Sequence, residues 1–447
     1  MKKLLKKAGV FVLAGIMLTT TGCKLTPQKE NEPAKEEAGD TAKTEDNKDN
    51  KEKTKLHFLI VAGESEMKGW QGIVDAFNAS SDEAEIELEQ LPGGWTEYVQ
   101  KITALIAAGS PPDIGRIGAA FVPQFVSKGQ LADLKPQIDA ELNMDDYYES
   151  AFKECEKDGH IYGAPVGIYT MVMYYNKQMF DDAGIPYPSP DWNNPWTFEQ
   201  YEDAATKLTS GEGANKKYGI LAQNHPERSA ATVFSMGGNF FDASHENPTF
   251  ASQPVIDTYQ MVQDMINLYK ISPTPAQTKT MPVDQMFLSG KLAMFADGSW
   301  MLPAFADKPD FKFGIAPVPK GTSSTTVSFI DQYVVFENSP NKELAWKAVK
   351  SFIQADAEKI MVENNLGGIP VYRPTVEAEK ENLFTMLSAE DKEVLFQSVE
   401  HSQSLPFTPN WSEQMDAAMK TIDLVTLGKM TVEEGMEKVD ESIKALK

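Results

Sequence analysis

Residues 56–114 read LHFLIVAGESEMKGWQGIVDAFNASSDEAEIELEQLPGGWTEYVQKITALIAAGSPPDI, and the change of apolar period within them decides the fold class. Leu56 to Ala62 is an apolar run of strand length. Trp70, Ile73, Val74 and Phe77 then recur at helical spacing, which places one face inward. Ile86 and Leu88 alternate with glutamates, the pattern of a half-buried strand. Val99, Ile102, Leu105 and Ile106 return to helical spacing, with Gly109 placed to end that helix. After Pro111-Pro112-Asp113, Ile114 opens another short strand. Strand and helix alternate, so the stretch predicts an α/β fold on a largely parallel sheet.

The same grammar continues downstream. Met171 to Tyr175 reads as a strand, and Lys177 to Ala183 as a short helix closed by Gly184. A connection through Pro186, Pro188, Pro190 and Pro195 follows, and Thr197 is placed to cap a helix beginning near Phe198. The C-terminal stretch reads as mainly helical, with Met415, Met419, Ile422 and Val425 on one stripe. No internal repeat is visible.

Upstream the sequence changes character. Lys2, Lys3, Lys6 and Lys7 precede the apolar run Ala8–Leu18, too short to span a bilayer as a permanent helix. Residues 1–22 therefore read as a signal peptide. Its end, Thr20-Thr21-Gly22-Cys23, resembles the bacterial lipoprotein signal, although Thr20 stands where that signal usually has leucine. The resemblance implies lipid on Cys23 and a location on the extracellular face of a bacterial membrane. Residues 23–54 hold one large apolar residue, Leu25, and read as a disordered tether.

Composition narrows the function. The 447 residues suggest two lobes plus extras. The formal net charge of -23 disfavours nucleic acid and anionic lipid as partners. Of the two cysteines, Cys23 belongs to the export signal, which leaves Cys155 as a lone thiol of the buried, apolar kind. Motifs for a nucleophile elbow, a zinc protease, a phosphate-binding loop or a redox pair are absent, and the five histidines are scattered without ligand spacing. No catalytic residue, metal or cofactor is expected.

Four blocks, in order, carry a resemblance: Ala107–Ile114 (AAGSPPDI); Tyr162–Pro165 (YGAP) with Tyr174–Lys177 (YYNK); Gly290–Met294 (GKLAM) with Asp297–Trp300 (DGSW); and Phe313–Gly321 (FGIAPVPKG). Together they resemble the extracellular sugar-binding subunits of ABC importers, the group that includes maltose-binding protein. The resemblance implies a two-lobed, periplasmic-binding-protein-like fold of the class II type. Its hinge-linked lobes would carry central, mostly parallel sheets and a helical C-terminal region. It places the N-terminal lobe at 55–167 and 334–372, and the C-terminal lobe at 168–333 and 373–447. Crossings are expected near 167–170, 327–333 and 373–378, with the lobes moving rigidly about them.

It further implies a monomer that captures a carbohydrate in the cleft and passes it to permease subunits. A sugar presents hydroxyls around an apolar ring face, so its site needs flat aromatics and planar polar groups. Trp300 matches a tryptophan that stacks on sugar, with Asp297 opening its turn and Gly298 permitting that turn. Trp411 matches a second sugar-facing region. Glu64 follows the first strand, Arg116 follows Asp113 with its fork of donors, Tyr169 and Asp331 fall in two crossings, and Arg373 follows Tyr372 where the third begins. His225, Glu227 and Arg228 are weaker candidates. Trp346 reads as core, and Trp95 sits on a loop where core and cleft are equally open. The runner-up ligand is a polyamine or another organic solute. A secreted carbohydrate-active enzyme and a surface adhesin are further alternatives.

Overall fold

The computed structural model describes residues 52–64, 66–91, 94–306 and 308–446. The signal at 1–22, the lipid site at Cys23 and the tether up to residue 51 lie outside the described residues. Among the described residues, no helix is long and apolar enough to cross a membrane.

Among the described residues, thirteen strands build the sheets. In chain order, β1 is Thr54–Ile60, β2 Ala84–Gln90, β3 Ile114–Ile117, β4 Glu156–Lys157, β5 His160–Ile161, β6 Ala164–Pro165 and β7 Tyr169–Asn176. The rest are β8 Tyr218–Ile220, β9 Leu292–Gly298, β10 Phe313–Ala316, β11 Thr326–Phe329, β12 Gln332–Val335 and β13 Ser402–Ser404. One large sheet runs β2-β1-β3-β12-β6, the other runs β13-β11-β7-β9-β8 with β10 also on β7, and β4 and β5 form a small antiparallel pair. The chain leaves the first sheet after β6, enters the second at β7 and returns between β11 and β12. A third link follows the helix Arg373–Glu379, which packs on the helix Ala355–Glu363, and leads to the helix Ala389–Ser398, which packs on β7 and β10. Ile369 lies beside the first link, its N–H and carbonyl both bonding Ile168 at 2.9 Å.

Local chemistry explains the elements. On β1, Leu56, Phe58 and Ile60 join one apolar cluster while Leu59 joins another on the opposite face. On β7 every residue is buried, with Met173 and Tyr175 facing one cluster and Met171, Val172 and Tyr174 the other. A strand covered on both faces loses polar alternation, which is why it reads as an unbroken apolar run. The helix Lys177–Ala183 stops at Gly184, where φ is 64°. The helix Phe198–Leu208 starts from a capping box between Thr197 and Gln200.

The expectation of largely parallel sheets is corrected. β1 pairs in parallel with β2 and β3, but β12 joins β3 and β6 antiparallel. The second sheet centres on β7, which is antiparallel to β9, β10 and β11. Both sheets are mixed because strands far apart in the sequence come to lie side by side, as β3 does with β12 and β7 with β9, and their direction is set by how the chain returns and not by a local crossover.

Candidate functional site

At the end of β3, Arg116 is buried between two indoles, its guanidinium carbon 4.8 Å from the Trp70 ring centroid and 5.5 Å from that of Trp95. These two cation–π contacts help hold the fork in place. Arg116 Nη2 meets Asp331 Oδ2 at 2.8 Å, and Nη1 donates to the Val61 carbonyl at 3.2 Å. The other Asp331 oxygen accepts from the Ala119 N–H at 3.4 Å. Burial works against the Arg116 charge, yet Tyr169 and Asp331 together hold its pKa above the usual arginine value. Burial also pushes the Asp331 carboxyl up against the pull of Arg116. Asp331 sits in the link between β11 and β12, so this ion pair ties that link to the first sheet.

A second group gathers where β9 ends. Trp300 follows Gly298 in a short 3-10 turn and is half-buried. The Arg228 guanidinium lies 4.4 Å from its ring centroid and meets Asp297 at 3.4 Å. Phe329 packs edge-on against the same indole at 5.2 Å. Gly298 is extended, with φ of -76°, so the turn does not require glycine; a Cβ there would fall 2.2 Å from Trp300 Cη2. The expected role of Gly298 is thus corrected: it makes room for the ring. Trp411 opens the helix Trp411–Thr426, is buried, and donates its indole N–H to Glu227 at 2.7 Å. Phe407 packs edge-on to it at 5.0 Å, and Phe407 lies 6.4 Å from Phe329.

Tyr169, the first residue of β7, joins the two groups. Its ring centroid is 6.4 Å from that of Trp300, and the charge of Arg116 acts on its hydroxyl. Burial pushes that hydroxyl well above the ordinary tyrosine value. The helix Trp411–Thr426 also lies against the turn Ala119–Phe121, so the two halves meet there as well. Three buried polar atoms in these groups have no hydrogen-bond partner among the described residues, Trp70 Nε1, Arg116 Nε and Ser299 Oγ, while the Tyr169 hydroxyl faces the Arg116 guanidinium. Buried polar atoms are rarely left so.

Of the residues singled out from sequence, Arg116, Asp331, Tyr169, Trp300 and Asp297 fall in this connected set, and Trp411 reaches it through Phe407 and Phe329. Glu64 is exposed. Glu66, two residues on, is the acid whose charge acts on both Arg116 and Tyr169. Sequence reading missed it because both acids follow β1 and nothing local tells them apart. Arg373 is exposed at the start of the helix Arg373–Glu379, where its charge acts on Tyr148. Glu227 and Arg228 hold the two indoles directly, and Trp70 and Trp95 clamp Arg116. Trp346 is core, its N–H on Glu141 at 3.0 Å. Cys155 is a buried free thiol. No group of potential metal ligands occurs among the described residues.

Known proteins resemble the chain in sequence and fold. The chain is 23% identical to the galactooligosaccharide-binding protein of Bacillus subtilis, over 99% of this chain and 97% of that protein. It is 24% identical to a maltooligosaccharide ABC transporter solute-binding lipoprotein of Streptococcus pneumoniae, over 81% of this chain and 86% of that one. An ABC substrate-binding protein of Listeria monocytogenes, solved in complex with cycloalternan, superposes with a TM-score of 0.78 at 24% identity. That match covers 88% of this chain and 99% of the Listeria chain. The shared fold is two-lobed and mixed α/β. The model of the bacterial extracellular solute-binding protein family matches residues 62–359, more than half of the chain, and to that family of binding proteins the chain belongs.

Proposed function

We propose that this chain is the receptor of an ABC importer, and that it captures an uncharged carbohydrate between its lobes and delivers it to a membrane permease. The observation that carries this reading is the run of aromatic rings and unpartnered buried polar atoms from Trp70 and Arg116 through Tyr169 to Ser299 and Trp300. Rings cover the apolar faces of sugars, and orphaned donors and acceptors suit their hydroxyls. Within the connected set the two arginines are already paired, Arg116 with Asp331 and Arg228 with Asp297, which suits an uncharged ligand there. The oligosaccharide-binding names of the relatives support the same class.

In this reading Glu64, Arg116, Tyr169, Asp297, Trp300, Asp331, Trp411 and Arg373 are the ligand-facing set, with Glu66 beside them. The N-terminal lobe comprises 55–167 and 334–372, the C-terminal lobe 168–333 and 373–447. The protein acts as a monomer held to the cell membrane by lipid on Cys23. Replacing Cys23→Ala should release it into the medium or leave uncut precursor; intact protein in membranes with an unmodified Cys23 would refute the anchor.

A thermal-shift screen of mono-, di- and oligosaccharides tests the function, since a ligand of the folded state raises the melting temperature by mass action. At least one sugar should do so, and mass analysis should recover it unchanged. A response to polyamines alone, or steady turnover of the bound sugar, would overturn the proposal.

A further inference from the structure

The segment Gln223–Arg228, which leads into the helix Pro226–Ser235, alternates its attachments between two elements. Gln223 Nε2 donates to the Ala296 carbonyl at 3.0 Å, and Arg228 Nη1 meets Asp297 Oδ1 at 3.4 Å. Both partners lie on β9, the strand that ends at the Trp300 turn. Asn224 Nδ2 donates to Asp423 Oδ1 at 3.2 Å, and Glu227 Oε1 accepts the Trp411 indole N–H at 2.7 Å. Both of those partners lie on the helix that Trp411 opens. One short segment therefore touches the strand that presents one indole and the helix that begins with the other.

The segment is itself held in shape. The His225 carbonyl accepts the N–H groups of Arg228 and Ser229, each at 2.9 Å, and His225 Nδ1 accepts that of Glu227 at 3.3 Å. Tyr259 Oη donates to the Asn224 carbonyl at 3.2 Å, which fastens the segment to the helix Gln253–Asn267. From this fixed base Glu227 and Arg228 each reach one indole. A buried indole N–H needs an acceptor, so the Glu227 carboxylate selects one orientation of the Trp411 ring. A guanidinium stacked 4.4 Å from the Trp300 centroid while paired to Asp297 fixes the plane of the other ring.

We propose that Glu227 and Arg228 are positioning residues that hold Trp300 and Trp411 in register, so that the choice between shorter and longer sugars is set in this segment as well as in the rings. The consequence for sugars rests on the proposed function; the control of the two rings does not. No part of the segment was marked by apolar periodicity, because its role comes from contacts with residues far along the chain.

The test uses the full chain with Glu227→Ala, Glu227→Gln, Arg228→Met and Arg228→Lys. Each is made alone and in a Trp411→Phe or Trp300→Phe background. Ultraviolet resonance Raman spectra of the protein without sugar report indole N–H bonding and ring environment. Glu227→Ala should alter the indole signature, Glu227→Gln should restore it, and the change should vanish in the Trp411→Phe background. Arg228→Met should act in the same way through Trp300, with Arg228→Lys restoring part of the signal. In parallel, the ratio of affinities for maltose and maltotriose should shift by about fivefold or more in Glu227→Ala, the scale of a lost buried acceptor, and return in Glu227→Gln. Unchanged spectra in Glu227→Ala and Arg228→Met would overturn the proposal. So would an unchanged affinity ratio accompanied by a parallel fall in both affinities and in melting temperature, the mark of a merely structural role. If wild-type protein binds neither saccharide, the size-selectivity claim falls with them, and the spectra alone uphold or sink the control of the rings.

Discussion

At the scale of single residues, Gly298 governs the position of Trp300 through space alone. Its backbone is extended and suits any residue, but an added Cβ would enter the indole. Gly298→Ala should therefore displace the ring, at an overpacking cost of ~1–3 kcal/mol in stability. Trp300→Ala removes the ring and should weaken binding of the best sugar from the screen by about 30-fold or more, since an aromatic anchor is worth ≥ ~2 kcal/mol. Calorimetric titration and thermal melting on both variants check this. Normal binding by Gly298→Ala would show that the ring has no role in the cleft. The place of Trp300 just after a strand and a turn was legible because the three stand together in sequence, while its role on sugar came from the resemblance. The reason for Gly298 was not, because glycine before a tryptophan reads as a turn whether or not the ring folds back over it. Glu66 stayed hidden for a related reason: its claim over Glu64 lies in its charge acting on Arg116 and Tyr169, which come from other strands.

At the scale of elements, local signals were read well where the chain answers to its own neighbours. Gly184 ends its helix with a positive φ, and Thr197 caps the next with Gln200. Strand direction was misread, because it depends on which distant strand lies alongside. The third link between the sheets shows the same limit. Glu358, on the helix Ala355–Glu363, is buried and accepts the N–H groups of Val371 at 2.8 Å and Tyr372 at 2.9 Å. Burial pushes this carboxyl up to about 8, while those two N–H groups pull it back. A carboxyl raised in the folded state favours folding fully below its ordinary value of 4.5, and that contribution is lost as pH rises through about 8. Stability should therefore decline over that window by on the order of a few kcal/mol from this residue. Glu358→Gln keeps one acceptor oxygen and cannot ionise, so its melting temperature should depend less on pH there. Equal pH profiles for the two proteins would show that the ionised form is already satisfied by the backbone donors.

At the scale of the whole molecule, two sheets are tied together by two short links, and each of these carries part of the candidate site. Tyr169 stands where the chain enters the second sheet, and Asp331 stands where it returns, locked to Arg116 on β3. Ile369 bonds Ile168 in the first of these links. Length and alternation pointed to two lobes, but only the assembled chain brings Arg116, Tyr169 and Trp300 into one connected set. A ligand touching Arg116 on one side and Trp300 on the other gains most when the lobes are close, so it should favour the closed state by its differential affinity. Scattering in solution should then give a smaller radius of gyration with saturating sugar than without. The charge pattern adds a second readout on the same complex. The chain carries a net charge of -23, yet Arg116 and Arg228 are each matched by an aspartate. An uncharged sugar would feel little of the overall field, so its affinity should stay nearly constant between roughly 0.05 and 0.5 M salt. A polyamine attracted by that field would bind more weakly as salt rises. An unchanged radius of gyration at saturation would argue against a closing receptor, and a steep loss of affinity with salt would argue for a cationic ligand in place of a sugar.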